Sequence, residues 1–272
     1  MLPYWHLLHF SIGPLTINTW GFVVSLGFAA AIWMAFRRAR HLGLDGNKIL
    51  DLAFWIMVAS IAGARLFHVF FYEWGYYVQH LHEIVRIDQG GLSSFGGFIG
   101  ATLVFIIFTR RHKLSVWKYA DILMFAWPLG HGIGRLGCFL THMHPGRLSN
   151  MPWAVQYPGG ARLDMGIIEA IILLIYWFIL LMISRRKLPS PGLRPPSPSG
   201  RGEGEGQYLV SGMIFYGAAR FFLDFFRAAD IAAADARYLG LTPAQYGSII
   251  LFAAGMYIYW RHVYQSRFSA RP

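Results

Sequence analysis

The chain has 272 residues, of which 56% are hydrophobic and 14% charged, and its formal net charge is +11. Soluble domains carry about 25% charged residues, so this composition excludes an ordinary soluble protein. It predicts an all-α polytopic membrane protein. Most basic residues fall between apolar runs. The positive charge therefore indicates membrane topology and contact with lipid headgroups, and we expect no nucleic-acid partner.

Seven apolar runs follow one another, each close to the ~20 residues that cross a bilayer core. The broken apolar residues Met1–Leu15 precede them and predict an interfacial segment. We predict membrane spans at Ile17–Phe36, Ile49–Phe71, Leu92–Thr109, Tyr119–Leu140, Asp164–Ile183, Tyr208–Phe226 and Thr242–Trp260.

Clusters of Lys and Arg follow the first, third, fifth and seventh spans, whereas loops 72–91, 141–163 and 228–241 are poorer in them. The positive-inside rule therefore predicts the N-terminus outside and the C-terminus in the cytoplasm. We expect one membrane domain over residues 1–272. Within it, residues 185–206, rich in Pro, Ser and Gly, are predicted to form a low-complexity cytoplasmic loop.

The fourth span ends in an unusual stretch, HGIGRLGCFLTHMHPGR, at His131–Arg147. Its closely spaced glycines, which include Gly134 and Gly137, favour either close helix packing or a distorted helix end whose free N–H groups bind an anion. We favour the second interpretation because Arg135 lies among them and a guanidinium matches phosphate. Three histidines alone do not make a metal site, and we expect neither a metal nor a cofactor.

Arg220, Asp224 and Arg227 are spaced to share one face of an apolar helix. They form either a structural ion pair or an anion site, because the excess of positive charge leaves one arginine free. Arg65 in the second span either binds a ligand or locks helices against a carbonyl or a carboxylate such as Glu169.

The stretch GGLSSFGGFIG begins the third span and contains Gly96 and Gly97. Paired glycines at this point have two interpretations with equal support: tight helix packing, or an opening that admits an acyl chain.

These motifs, in this order on seven spans, resemble prolipoprotein diacylglyceryl transferases. The residues that carry the resemblance are GGLSSFGGFIG, GIGRLGCF with Gly146, and YGAARFFLDFFR, with support from GARLFHVFFY and LTPAQYGSI. It covers most of the chain except the loop after Thr141 and the Pro/Ser-rich insert. The resemblance implies a monomeric multi-pass enzyme of the bacterial inner membrane. Its partners would be phosphatidylglycerol, preprolipoprotein signal peptides and membrane lipids.

The implied reaction moves the diacylglyceryl group from phosphatidylglycerol to the lipobox cysteine and releases glycerol 1-phosphate. By resemblance, Arg135 binds phosphatidylglycerol, Arg220 is the second essential arginine and Arg227 is a further one. Asp224 stands where the family has glutamate. The implied substrate-binding set is Arg135, Gly134, Gly137, Gly146, Arg227, Arg65, Gly96 and Gly97.

The chain also departs from the family. Phe95 replaces a histidine proposed as the base, and Cys138, Thr141 and Met143 replace asparagines and a glutamate. An HPxQLYE-like stretch retains only Glu169. We therefore expect a new base, His131 foremost, or else His142 or His144; alternatively, cations ionise the thiol without a base. A non-catalytic phospholipid- or lipoprotein-binding protein remains the main alternative, and a transporter is a third.

Overall fold

A computed structural model describes residues 1–87, 90–187, 205–232 and 234–264 of the chain. Most of the predicted cytoplasmic loop, residues 188–204, lies outside the described residues. The helices are α1 Thr19–His41, α2 Gly46–Phe71, α3 Trp74–Tyr77, α4 Ser94–Arg111, α5 Val116–Leu140, α6 Met165–Lys187, α7 Gln207–Leu223 and α8 Pro243–Ile258. Short 3₁₀ helices lie at Leu81–Val85 and Asp224–Phe226, and a π-helix at Tyr259–Tyr264 follows α8.

Five of these helical stretches are long and apolar enough to cross a membrane. They are Thr19–His41, Gly46–Phe71, Ser94–Arg111, Met165–Arg185 and Gln207–Phe226. This confirms the predicted class of a mostly helical, multi-pass membrane protein. The predicted fourth and seventh spans correspond to α5 and α8, which form as helices.

Two small antiparallel sheets occur where the sequence predicted no strands. Strands β1 His9–Ile12 and β2 Leu15–Asn18 pair as a hairpin inside the predicted interfacial segment. Strands β3 Pro145–Leu148, β4 Val155–Tyr157 and β5 Gly160–Asp164 form a sheet in the order β3-β5-β4, within the predicted loop 141–163. These segments are not helical, so their backbone N–H and C=O groups need other partners, and strand pairing provides them. The all-α prediction is wrong to this extent.

The described residues form two compact units, one of 1–34 with 120–272 and one of 35–119. In the first unit, α1 and α5 approach each other closely at glycines. A Cβ on Gly27 would lie 2.4 Å from the Gly130 carbonyl oxygen. The Asp121 carboxylate on α5 accepts bonds from the N–H groups of Gly206 and Leu209, both at 2.8 Å, and so caps the start of α7.

The second unit is built on a close crossing of α2 and α4. A Cβ on Gly96 would lie 2.2 Å from the Gly63 carbonyl oxygen, and one on Gly100 would lie 2.2 Å from that of Ala59. Of the two interpretations of the GGLSSFGGFIG stretch, this geometry supports tight packing at Gly96. Gly97 makes only ordinary contacts, 3.5 Å or more, with α2.

The glycine crossing of α1 and α5 predicts a position-dependent cost of adding one methyl group. Gly27→Ala should lower the free energy of unfolding by about 1–3 kcal/mol, because neither backbone can retreat from the added Cβ. Chemical denaturation in detergent measures it. Gly21→Ala in the same helix is the matched control, since its Cβ meets only Asn18 Oδ1 at 3.6 Å. Equal stability of the two variants would contradict the crossing.

Candidate functional site

Four helix termini of the first unit bring charged side chains together. Arg135 lies in the last turns of α5, Glu169 near the start of α6 and Arg220 in the last turn of α7. Thr242 is the N-cap of α8. Consecutive antiparallel helices place alternating C- and N-termini on one side, so residues far apart in sequence converge there.

Glu169 is the centre of this cluster. Its Oε2 lies 2.9 Å from Arg135 Nε, and its Oε1 accepts a bond from Arg220 Nη1. Arg220 Nη2 also reaches Asp224 Oδ1 at 3.2 Å. Glu169 is 3% exposed and Asp224 is fully buried. Charges this deep require opposite charges in contact, because water does not reach them.

The cluster continues from Asp224 towards the loop before α8. Thr242 donates its hydroxyl to Asp224 Oδ2 and also forms a capping box with Gln245 at the start of α8. Arg227 Nε lies 3.8 Å from Asp224 Oδ1, while its Nη1 pairs with Asp235. Three arginines therefore alternate with three carboxylates, and we call Arg135, Glu169, Arg220, Asp224, Arg227 and Asp235 the ion-pair chain.

The predicted helical stripe of Arg220, Asp224 and Arg227 is only partly right. Helix α7 ends at Leu223, Asp224 begins a 3₁₀ turn, and Arg227 is extended. The three side chains nevertheless contact one another. The structural pair of Arg220 with Asp224 is present, but the expectation of a free arginine is wrong for Arg227, because Asp235 neutralises it.

The expected helix end among the glycines is also wrong. Residues 130–137 lie inside the continuous helix α5, whose backbone N–H groups bond within the helix. Gly137 lies against Val23 of α1, where its Cβ would come within 3.1 Å, and Gly134 faces Val24. Close packing against α1 is therefore the role that this geometry gives to these glycines.

Gly146 occupies a crowded backbone position beside the ion-pair chain. It forms an isolated antiparallel bridge with Arg227, and its carbonyl accepts a 3.2 Å bond from Arg162 Nη1. An added Cβ would lie 2.8 Å from the Leu163 carbonyl oxygen and 2.9 Å from that of Phe226. Only glycine fits here without moving the backbone that holds Arg227.

The three histidines have different surroundings. His131 lies one turn before Arg135 and stacks on Trp127, and its buried Nε2 has no hydrogen-bond partner within the described part of the chain. His144 Nδ1 accepts a 2.7 Å bond from Arg227. Burial and the charges of Arg135, Arg227 and Arg220 lower the pKa of His144 to about 3. His144 is therefore neutral at physiological pH, and its acceptor nitrogen is occupied.

His142 forms a buried pair with Asp164, Nδ1 to Oδ2 at 2.7 Å. Asp164 Oδ2 also accepts the Tyr157 hydroxyl at 2.5 Å, and its Oδ1 caps α6 through the Gly166 N–H at 2.8 Å. Burial, with Asp164 beside it, raises the pKa of Tyr157, which keeps the phenol protonated. Since a carboxylate can only accept, His142 Nδ1 donates, and the lone pair of the ring in its neutral form lies on Nε2.

Arg65, Gly96, Gly97 and Phe95 belong to the second unit. Arg65 donates to the carbonyl oxygens of Ile84 and Glu83 at 2.8 and 2.6 Å, and to those of Gly90 and Gly91 at 2.7 and 3.1 Å. These bonds favour the interpretation in which Arg65 locks helix α2 against carbonyls. They do not involve Glu169.

Glu169 is the residue whose importance the sequence underrates. The sequence offers it only as one conceivable partner of Arg65, whereas it contacts both Arg135 and Arg220. The available signal was its retention in a stretch otherwise reduced from the family pattern. Nothing in the sequence marked Asp164 as the partner of His142.

The fold and site define a multi-pass membrane protein with a buried arginine–carboxylate chain at one end of its helices. The sequence profile of the prolipoprotein diacylglyceryl transferase family matches residues 8–261. The chain is 34% identical to the phosphatidylglycerol–prolipoprotein diacylglyceryl transferase of Nitrosomonas europaea, over 94% of this chain and 90% of the relative. The enzymes of that name from Janthinobacterium sp. and Mannheimia succiniciproducens are 34% and 30% identical, over 85% and 84% of this chain and 85% and 82% of theirs. The chain belongs to the prolipoprotein diacylglyceryl transferase family.

The bridging position of Glu169 predicts a large stability cost of neutralising it. Glu169→Gln leaves two buried guanidiniums facing an amide, and removing one partner of a buried ion pair costs about 3–5 kcal/mol. Chemical denaturation in detergent measures the loss. Lys48→Gln is the control, since its ion pair with Asp51 is long, 3.8 Å, and its two side chains are 32% and 55% exposed. A Glu169→Gln variant as stable as the wild type would show that the ion-pair chain does not depend on this carboxylate.

Proposed function

We propose that this chain transfers the diacylglyceryl group of phosphatidylglycerol to the lipobox cysteine thiol of preprolipoproteins and releases glycerol 1-phosphate. Membership of the family supports this activity, because its curated relatives carry that substrate and reaction in their names. The observation in the molecule that carries the proposal is the ion-pair chain. It contains Arg135, which the family resemblance assigns to phosphatidylglycerol binding, together with Arg220, the second essential arginine by resemblance, and Arg227, a further one.

The reaction requires stabilisation of a leaving phosphate. The cysteine sulfur forms a bond to a glycerol carbon, and the bond from that carbon to the phosphate oxygen breaks. The thiol proton passes to a base, and the phosphate diester, with one negative charge, leaves as a monoester with a second charge. Preorganised cations aimed at this oxygen lower the barrier, because their orientation is fixed before the charge develops.

The contacts of Arg135 suit that role. Glu169 holds its Nε, whereas its Nη1 and Nη2 make only long contacts, 3.8 Å to Cys138 Sγ and 3.5 Å to the Met165 carbonyl oxygen. These two nitrogens are therefore the donors best placed for phosphate oxygens. Arg220, held between Glu169 and Asp224, supplies the second cation. Glu169 positions both guanidiniums.

We further propose seven spans within one membrane domain of the bacterial inner membrane, with the N-terminus outside. Helix α5 has 25 residues, and α8 together with its π-helical extension covers Pro243–Tyr264, so both have enough length to cross. The distribution of Lys and Arg supports the orientation. The ion-pair chain then lies towards the outer side, where a monomeric enzyme meets preprolipoprotein signal peptides.

His142 is the histidine best suited to accept the thiol proton. Asp164 accepts the bond of its Nδ1, and its buried Nε2 has no hydrogen-bond partner among the residues that the structure describes. The ring is enclosed by Tyr4, stacked at 4.4 Å between centroids, and by His6, Phe139 and Tyr157. His131 remains a predicted catalytic residue, since no described residue bonds its Nε2 either.

The activity is tested by transfer from labelled phosphatidylglycerol to a lipobox peptide in detergent or nanodiscs. Arg135→Ala should lower kcat/KM by at least about 10²-fold, the usual loss when one donor to a developing oxyanion is removed. Arg111→Ala, at the exposed end of α4, is the matched control and should transfer at the wild-type rate. A folded wild type that binds phosphatidylglycerol without transferring it would support the non-catalytic alternative.

Proton acceptance by His142 is tested by replacing the lipobox cysteine with selenocysteine. A selenol is ionised at neutral pH without a base, whereas a thiol is not. His142→Ala should therefore lose about 10²–10⁴-fold in transfer to the cysteine peptide and retain transfer to the selenocysteine peptide. His131→Ala is assayed in parallel. Equal losses with both peptides would mean that His142 has only a structural role, and selective rescue of His131→Ala would assign the proton to His131.

A further inference from the structure

A second arginine cluster lies next to the ion-pair chain. An open cavity of about 460 Å³ is lined by three arginines, one carboxylate and three apolar side chains: Arg147, Arg227, Arg237, Asp230, Leu148, Phe225 and Ala229. This volume is within the range of small-molecule sites, about 300–1,000 Å³. We call it the arginine cavity. Arg227 is common to both clusters.

The arginine cavity differs from the ion-pair chain in its charge. Arg147 lies over the Phe226 ring at 4.4 Å, and Arg237 makes one long bond, 3.4 Å, to the Gly240 carbonyl oxygen. Within the described residues, neither arginine pairs with a carboxylate. Both are exposed. Two guanidiniums therefore present unneutralised donors to the cavity.

Asp230 is held in a fixed position on the cavity wall. Arg162 binds it through two parallel bonds, Nη1 to Oδ1 at 2.8 Å and Nη2 to Oδ2 at 2.6 Å. This paired geometry leaves lone pairs on both carboxylate oxygens that can accept hydroxyl groups. Leu148 and Phe225 add exposed apolar surface beside the charges, 55% and 45% exposed.

We propose that the arginine cavity binds a phosphate ester of glycerol. Arg147 and Arg237 hold the phosphate, and Asp230 accepts bonds from the glycerol hydroxyls. Arg227, whose Nη atoms already contact Asp235 and His144, forms the adjoining wall. Two sources share this chemistry: free glycerol 1-phosphate after the transfer, and the headgroup of phosphatidylglycerol before it. The choice between these sources rests on the proposed function, but the binding itself does not. The shared Arg227 makes the cavity adjacent to the place where the phosphate is released.

The test combines a binding arm and a kinetic arm on the full-length protein. The binding arm titrates glycerol 1-phosphate into detergent-solubilised protein by calorimetry. The kinetic arm measures kcat and KM for phosphatidylglycerol in nanodiscs. The variants are the double substitution Arg147→Gln with Arg237→Gln, and a matched double substitution of both residues to Lys, which keeps the charge. Arg111→Gln is the control for removal of an exposed arginine elsewhere.

We expect the glutamine double variant to bind glycerol 1-phosphate at least about tenfold more weakly, with the lysine variant intermediate and the control equal to the wild type. Weaker binding with unchanged KM identifies the free ester as the ligand. A raised KM with unchanged kcat identifies the lipid headgroup. Wild-type binding and KM in the glutamine double variant would overturn the proposal. The proposal would also be overturned if the wild type bound no glycerol 1-phosphate and the substitutions of Arg147 and Arg237 left KM unchanged. If the protein transfers no lipid, the binding arm alone decides.

Discussion

The carboxylate of Glu169 is the constraint on which the site depends. It contacts the guanidiniums of Arg135 and Arg220, which come from two different helices, while it belongs to a third. Two buried cations at this separation repel each other unless a negative charge lies between them. One acidic residue thus connects α5, α6 and α7 at the end of the helices where the proposed substrate site lies.

The ion-pair chain also explains how several arginines can lie together at the proposed anion site while their positive charge is neutralised. Each arginine has a carboxylate partner, so the substrate-free protein does not bury net charge. A phosphate then needs only the donors that the carboxylates leave unused, such as the Nη atoms of Arg135. The contacts that orient these guanidiniums are also the contacts that neutralise them in the folded protein, so we expect a substitution at Glu169 to change both their orientation and the stability of the fold.

Much of the fold was predictable because membrane spans have a strong compositional signal. The predicted span Asp164–Ile183 corresponds to the helix Met165–Lys187. The predicted span Tyr208–Phe226 corresponds to the helix Gln207–Leu223 and the 3₁₀ turn that follows it. The short strands were not predictable, since segments of three to five residues have no clear periodicity. Glycines favoured a helix break at Gly134 because sequence alone does not reveal that α1 packs against them. Arg135 and Arg220 were identifiable from the sequence as charges in apolar surroundings. Their shared partner Glu169 was not, because only the folded structure brings the three helix ends together.

The two oxygens of Asp164 have a mechanical consequence. Oδ1 holds the first turn of α6 through Gly166 and Ile167, and Oδ2 holds His142. Helix α6 also carries Glu169, four residues into its sequence. The His142 imidazole and the Glu169 carboxylate are therefore both connected to the first turns of α6. A displacement of the first turn of α6 would move His142 and Glu169 together.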